Sequence, residues 1–122
     1  MSFRTLKKGL AHSILAFEKA DGSVPAVEFL KGLEERERKK MVALIDRAAD
    51  HGPPNNRERN KPVEGTRFFE FKTHGYRLFW RWSFSGDVIL MNGFAKRGDR
   101  IPRSDLHAGL AGQRPDRRFP PG

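Results

Sequence analysis

The chain contains no cysteine in its 122 residues, which excludes disulfides, thiolate metal sites and thiol nucleophiles together. No apolar run approaches the roughly 20 residues that a membrane-spanning helix needs. Lys7 and Lys8 precede LAHSILAF, the beginning of a signal-peptide pattern. His12 and Glu18 interrupt that stretch, and no small-residue cleavage site comes after it. No membrane contact is expected, and the cytoplasm is the expected compartment. HExxH, Walker and nucleophile-elbow patterns are absent, so neither a metal nor a nucleotide cofactor is expected. There is no internal repeat.

Negative charge is the scarcer sign. Lys and Arg total 24 against 15 Asp and Glu, a formal charge of +9. The excess is uneven: residues 1–52 carry ten cations and eight anions, and residues 53–122 carry fourteen and seven. A basic half on a small domain favours a polyanionic partner, either nucleic acid or an acidic protein. The length suits one domain with one core. Of thirteen aromatic residues, eight lie between Phe68 and Phe84, which makes that stretch the expected centre of the fold.

The stretch reads FFEFKTHGYRLFWRWSF. Aromatic and charged residues alternate on both sides of His74-Gly75, the period of two β-strands joined by a tight turn. With His74 and Gly75 as the loop, Thr73 pairs with Tyr76. One face then carries Phe69, Phe71, Leu78, Trp80 and Trp82, and the other Phe68, Glu70, Lys72, Arg77, Phe79 and Arg81. Lys72 falls opposite Arg77. Like charges facing each other on a sheet are mildly destabilising, so packing gives no reason for that pair, whereas an anionic ligand does. The competing explanation is a solvated face on which long basic stems cover apolar surface.

Elsewhere the chain predicts an α+β domain. HSILAFE, residues 12–18, is a short strand closed by Asp21-Gly22. Ser23 is the expected cap of a helix that has Pro25 in its first turn, with Ala26, Phe29, Leu30 and Leu33 on its apolar stripe. After a break at Gly32, Glu34, Glu35 and Glu37 open a second helix carrying Met41, Leu44, Ile45 and Ala48. His51-Gly52-Pro53 ends it, with His51 structural at the helix C-terminus. The two helices are expected to form an N-terminal helical hairpin packed on one face of a small antiparallel sheet, the other face staying open. GPPNNRERNKPVEGT, residues 52–66, is a long aperiodic loop; Arg57, Arg59 and Lys61 could reach phosphates, although a solvated connector is the favoured reading. DVILMNGFA is a third strand, apolar on both faces up to Asn92 as a central strand is. A short C-terminal helix is expected near Pro102, weakened by Gly109 and Gly112. One domain over 1–112 is followed by a tail, 113–122, expected to be disordered.

Those elements in that order, with DGSVPAVEFLKGL, a helix ending DHGPP, FFEFKTHGYRLFWRW and NGFAKRGDRIPRSDLHAG, resemble the RelE superfamily of bacterial toxins. The resemblance is to its HigB-like branch, which includes phage-derived toxin-like proteins, and it covers about residues 12–111. The matching motifs are His51-Gly52-Pro53, Glu70-Phe71-Lys72, Tyr76-Arg77 and Gly93-Phe94-Ala95-Lys96-Arg97 with Pro102. The resemblance implies a RelE-like fold and the toxin half of a type II toxin-antitoxin pair, a ribosome-dependent, metal-independent endoribonuclease that cuts mRNA. Its implied partners are the ribosome, mRNA and a cognate antitoxin of the helix-turn-helix type. Lys72, Arg77 and Arg97 would be catalytic, with Lys96, Arg81, His74 and Arg100 holding RNA.

The chemistry suits these residue types. Cleavage through the RNA's own 2′-hydroxyl needs a proton acceptor, positive charge for the phosphorane oxygens, and an acid or cation at the leaving 5′-oxygen. A lysine beside an arginine is pushed toward usefulness as a base, and the arginine fork matches phosphate. Two departures stand out. Lys72 occupies a position that usually holds Arg, and no further C-terminal aromatic, acidic or histidine group is evident beyond His107, whose simpler reading is an exposed helix residue. The alternative function is that of a non-catalytic ParE-like toxin or binding module acting on gyrase or another target.

Overall fold

The structure, a computed structural model, describes residues 2–96. The alternating pattern around His74-Gly75 gives β4 (Phe69–Thr73) and β5 (Tyr76–Trp82), paired antiparallel with Thr73 opposite Tyr76 and Lys72 opposite Arg77, the register expected from the turn. Gly75 adopts φ 83°, which the tight turn requires and other residues resist. Upstream lie β1 (Ser2–Lys8), β2 (Ser13–Glu18), α1 (Pro25–Gly32), α2 (Glu35–His51) and β3 (Asn60–Pro62), and β6 (Val88–Ala95) comes after the hairpin. Among the described residues no helix is long and apolar enough to cross a membrane.

These strands make one six-stranded sheet in the order β1-β2-β6-β5-β4-β3. The expected small antiparallel sheet is therefore corrected: β2 and β6 run parallel, Ile14 beside Val88 and Ala16 beside Leu90, and the sheet is mixed. Parallel neighbours need a crossover, which α1 and α2 supply along with the hairpin. β1 escapes the sequence reading because it is an edge strand in which only Phe3 and Lys7 are partly covered, so its side chains carry almost no apolar period. β3 escapes it because three residues including a proline are too short to show one. β6 is central, and Val88 to Met91 are buried on both faces as their composition implies.

The helices serve one face. Ala26, Leu33, Met41, Ile45, Ala48 and Ala49 pack with Phe71, Leu78, Trp80, Val88, Leu90, Ile14 and Ala16. Phe69 and Phe71 stack on Trp80 at 4.6 and 5.3 Å, geometry worth about 0.5–1.5 kcal/mol per pair beyond area burial. The Trp80 indole N–H donates to Asn60 Oδ1 at 2.9 Å, tying the approach to β3 into this core. α1 packs chiefly on β6 and β2, and α2 chiefly on β4, each helix contacting the sheet more than the other helix. Ser23 is not the expected cap: Val24 holds that position without a side-chain bond, while the Ser23 hydroxyl donates to Asp21 Oδ1 at 2.6 Å and depresses that carboxyl's pKa. α2 ends as expected at Gly52, φ 88°, whose N–H reaches the Ala48 carbonyl.

The face expected to be open is not. Phe68, Phe79, Ile89, Met91, Phe94 and Val63 form a second buried cluster, against which Phe3, Leu15 and Phe17 of β1 and β2 pack. Sequence reasoning could not see this, because it lacked β1 and, although it read residues 12–18 as a strand, had nothing to place that strand beside β6. The expected C-terminal helix, the 113–122 tail, Arg97, Arg100 and His107 lie outside the described residues.

Candidate functional site

The second face changes character toward the β4–β5 turn. Pairing places Lys61 opposite Glu70, Glu70 opposite Phe79 and Lys72 opposite Arg77, so Lys61, Glu70, Lys72 and Arg77 share one side of three adjacent strands. A bulge brings in a fourth cation. The β5–β6 register shifts between Leu78, opposite Gly93, and Trp80, opposite Leu90, which inserts one extra residue in β6. Without it, Phe94 and Lys96 would point to the helical face. With it, Phe94 sits opposite Arg77, and Lys96 comes next on the same side with its N–H bonded to the Gly75 carbonyl at 2.8 Å.

Lys72 is partly buried and loosely held. Its amine reaches the Arg57 carbonyl at 3.4 Å, and its backbone N–H donates to the Arg59 carbonyl at 2.8 Å. Burial pushes the amine's pKa below the ordinary lysine value, and the positive charges of Arg77, Lys61 and Lys96 push it further, against an opposing pull from Glu70. A lysine in that condition gives up its proton more readily than a surface lysine.

Arg77 is buried at 9% exposure and oriented by its own turn. One terminal nitrogen, Nη1, donates to the Thr73 and Tyr76 carbonyls at 2.9 and 2.8 Å. Nε lies 3.8 Å from Glu70 Oε1, too far for a hydrogen bond, and has no other acceptor. Nε is shut off from solvent and faces the buried Glu70 carboxylate, so a phosphate would meet this guanidinium at its terminal nitrogens and not at Nε.

The other expected residues divide. His74 is exposed at the turn, at the margin of the cationic cluster. Arg81 is a correction: at 2% exposure it is engaged within the protein rather than presented to a nucleic acid, because the face it occupies is covered. Lys61, favoured in sequence as part of a solvated connector, belongs to β3 and to the cluster, and exposed Arg57 and Arg59 border Lys72 through their carbonyls. The signal for Lys61 was available only as alternation against Glu70 across an unrecognised strand. Among the described residues no group of three His, Asp or Glu side chains is placed to share a metal ion.

Comparison with known proteins agrees with this architecture. A search among curated proteins finds no match. Among solved structures, the RelB-RelE antitoxin-toxin complex from Methanococcus jannaschii contains a similar fold, with TM-score 0.51 and 14% identity over 67% of this chain and 88% of that one. At that identity the likeness concerns the fold alone. The family model for phage-derived Gp49-like proteins matches residues 28–113, from within α1 through β6 and beyond. The cluster on β3, β4 and β5 lies wholly inside that match, and this chain belongs to the phage-derived, Gp49-like protein family.

Proposed function

We propose that this protein is the toxin of a type II toxin-antitoxin pair, of the HigB-like kind, and that it cleaves mRNA on the ribosome without a metal ion. The observation that carries the reading is the Lys72–Arg77 pair: two cations directly opposed on a sheet, partly or wholly buried, with two further lysines on the same side. Packing and stability disfavour that arrangement, and a phosphodiester passing through a doubly charged phosphorane favours it. Lys72, as the neutral amine, takes the proton of the 2′-hydroxyl. The 2′-oxygen then bonds to phosphorus, the bond to the 5′-oxygen breaks, and that oxygen takes a proton from solvent water, leaving a 2′,3′-cyclic phosphate and a 5′-hydroxyl. Arg77 offers its guanidinium charge to the non-bridging oxygens. Arg97 shares that work, Lys96 and His74 hold the RNA, and Arg100 extends the contact.

The fold likeness to the toxin of a RelB-RelE complex supports a partner of the antitoxin type. On this reading the antitoxin is an acidic helix-turn-helix protein that neutralises the +9 chain, and both act in the cytoplasm, where ribosomes are. The test is induced expression in a bacterial host of wild type, Lys72→Ala and Arg77→Ala. Wild type is expected to arrest growth and cut a translated transcript, and each variant to relieve both by about 100-fold or more while remaining folded. Arrest with an intact transcript would instead indicate a gyrase-type target.

A further inference from the structure

Glu70 is the least expected residue in this neighbourhood. It is 2% exposed, on a strand face otherwise lined by Phe68 and Phe79, and its Oε2 has no hydrogen-bond partner. A buried, incompletely satisfied carboxylate is costly, and an apolar residue would pack better there. Its surroundings are cationic from every strand that meets it. Lys61 lies opposite on β3, Lys72 two residues along β4, Arg77 on β5 with Nε 3.8 Å from Oε1, and Arg81 at the other diagonal of β5.

We infer that Glu70 is the positioning residue of the site: its carboxylate is the counter-charge that keeps Lys61, Lys72 and Arg77 together on one face and holds the Arg77 guanidinium in line with Lys72. It touches no substrate in this role and acts through its two neighbours. The inference rests on reading Lys72 and Arg77 as the reacting pair. Burial, Arg77, Lys61 and Lys96 lower the proton affinity of the Lys72 amine, and Glu70 opposes them, so loss of the carboxylate moves that amine's titration further down.

The test is an NMR titration of the Lys72 side chain in folded wild type, Glu70→Gln and Glu70→Asp, without RNA. Lys72 is expected to titrate at lower pH in Glu70→Gln and to return toward wild type in Glu70→Asp. Superimposed curves for wild type and Glu70→Gln would overturn the assignment. Should Glu70→Gln not fold, the charge-balanced Glu70→Gln/Lys61→Gln pair is compared with Lys61→Gln alone; the pair must titrate lower, and coincidence overturns the assignment equally. Transcript cleavage is read separately. Glu70→Gln is expected to lose up to about 100-fold in kcat, as a misplaced arginine would cause, with the acid limb of its profile moving downward with the amine. A wild type that never cleaves removes the ribonuclease reading and leaves the titration result intact.

Discussion

At Lys72 the requirements of stability and of chemistry oppose each other. The folded protein lowers this amine's pKa from its ordinary value of 10.5, through burial first and neighbouring charge second. Between the folded and unfolded pKa values the unfolded chain therefore binds more protons, and stability rises with pH across that window rather than falling. Below it, the protonated amine is a standing penalty. Lys72→Met should accordingly abolish cleavage and raise the melting temperature at neutral pH by a few degrees, on the order expected for removing one unfavourable, partly buried charge, as scanning calorimetry would show. An unchanged or lower melting temperature would mean the amine is not penalised. Catalysis carries the matching sign: if neutral Lys72 is the base, the rate climbs with pH toward a pKa below that of a free lysine, and the climb disappears in Lys72→Met. Arg77 poses a different question, since Lys keeps the charge but not the fork. Arg77→Lys should lose most of the activity that Arg77→Ala loses, because an ammonium cannot reproduce the planar guanidinium that the Thr73 and Tyr76 carbonyls orient. A fully active Arg77→Lys enzyme would reduce Arg77 to a point charge.

The elements show why some of the site was legible and some was not. The β4–β5 register is dictated by His74-Gly75 and strict alternation, so Lys72 opposite Arg77 could be read from the chain, and so could the apolar stripe of α2. Three things could not. β1 and β2 supply Phe3, Leu15 and Phe17 to a face that looked open, and an exposed edge strand leaves no periodic trace. β3 is three residues long, so Lys61 looked like loop. The bulge in β6 inverts the facing of everything after it, which places Lys96 beside Lys72 and Arg77 where simple alternation would have placed it among the helices. Gly93 marks that bulge, and it lies directly under α1: a Cβ there would come within 2.3 Å of the Phe29 ring. Gly93→Ala should cost about 1–3 kcal/mol by overpacking, measured by urea denaturation, and should disturb Lys96 through the same bulge. A neutral Gly93→Ala would show that α1 can withdraw from the sheet without consequence.

For the whole molecule, charge and fold point the same way. The excess of cations belongs to the half of the chain that builds β3 to β6 and runs on to the C-terminus, so the +9 charge is weighted toward the site's half and steers an anion toward it. Binding of a non-cleavable, 2′-deoxy-substituted RNA should weaken with salt. If Lys61, Lys72, Arg77 and Lys96 each neutralise a phosphate, the slope of log affinity against log salt is roughly −3, and Lys96→Ala should flatten it by about 0.7. A slope near zero would mean that these cations serve the fold alone. The most direct measurement joins the scales: purified ribosomes translating a defined mRNA, with the protein added, and the cut sites mapped by primer extension for wild type and Arg77→Ala. If this protein is a ribosome-dependent ribonuclease, cuts in phase with codons appear with wild type, need the ribosome, and vanish with Arg77→Ala. An intact transcript with wild type, or the same cuts with Arg77→Ala, would contradict it.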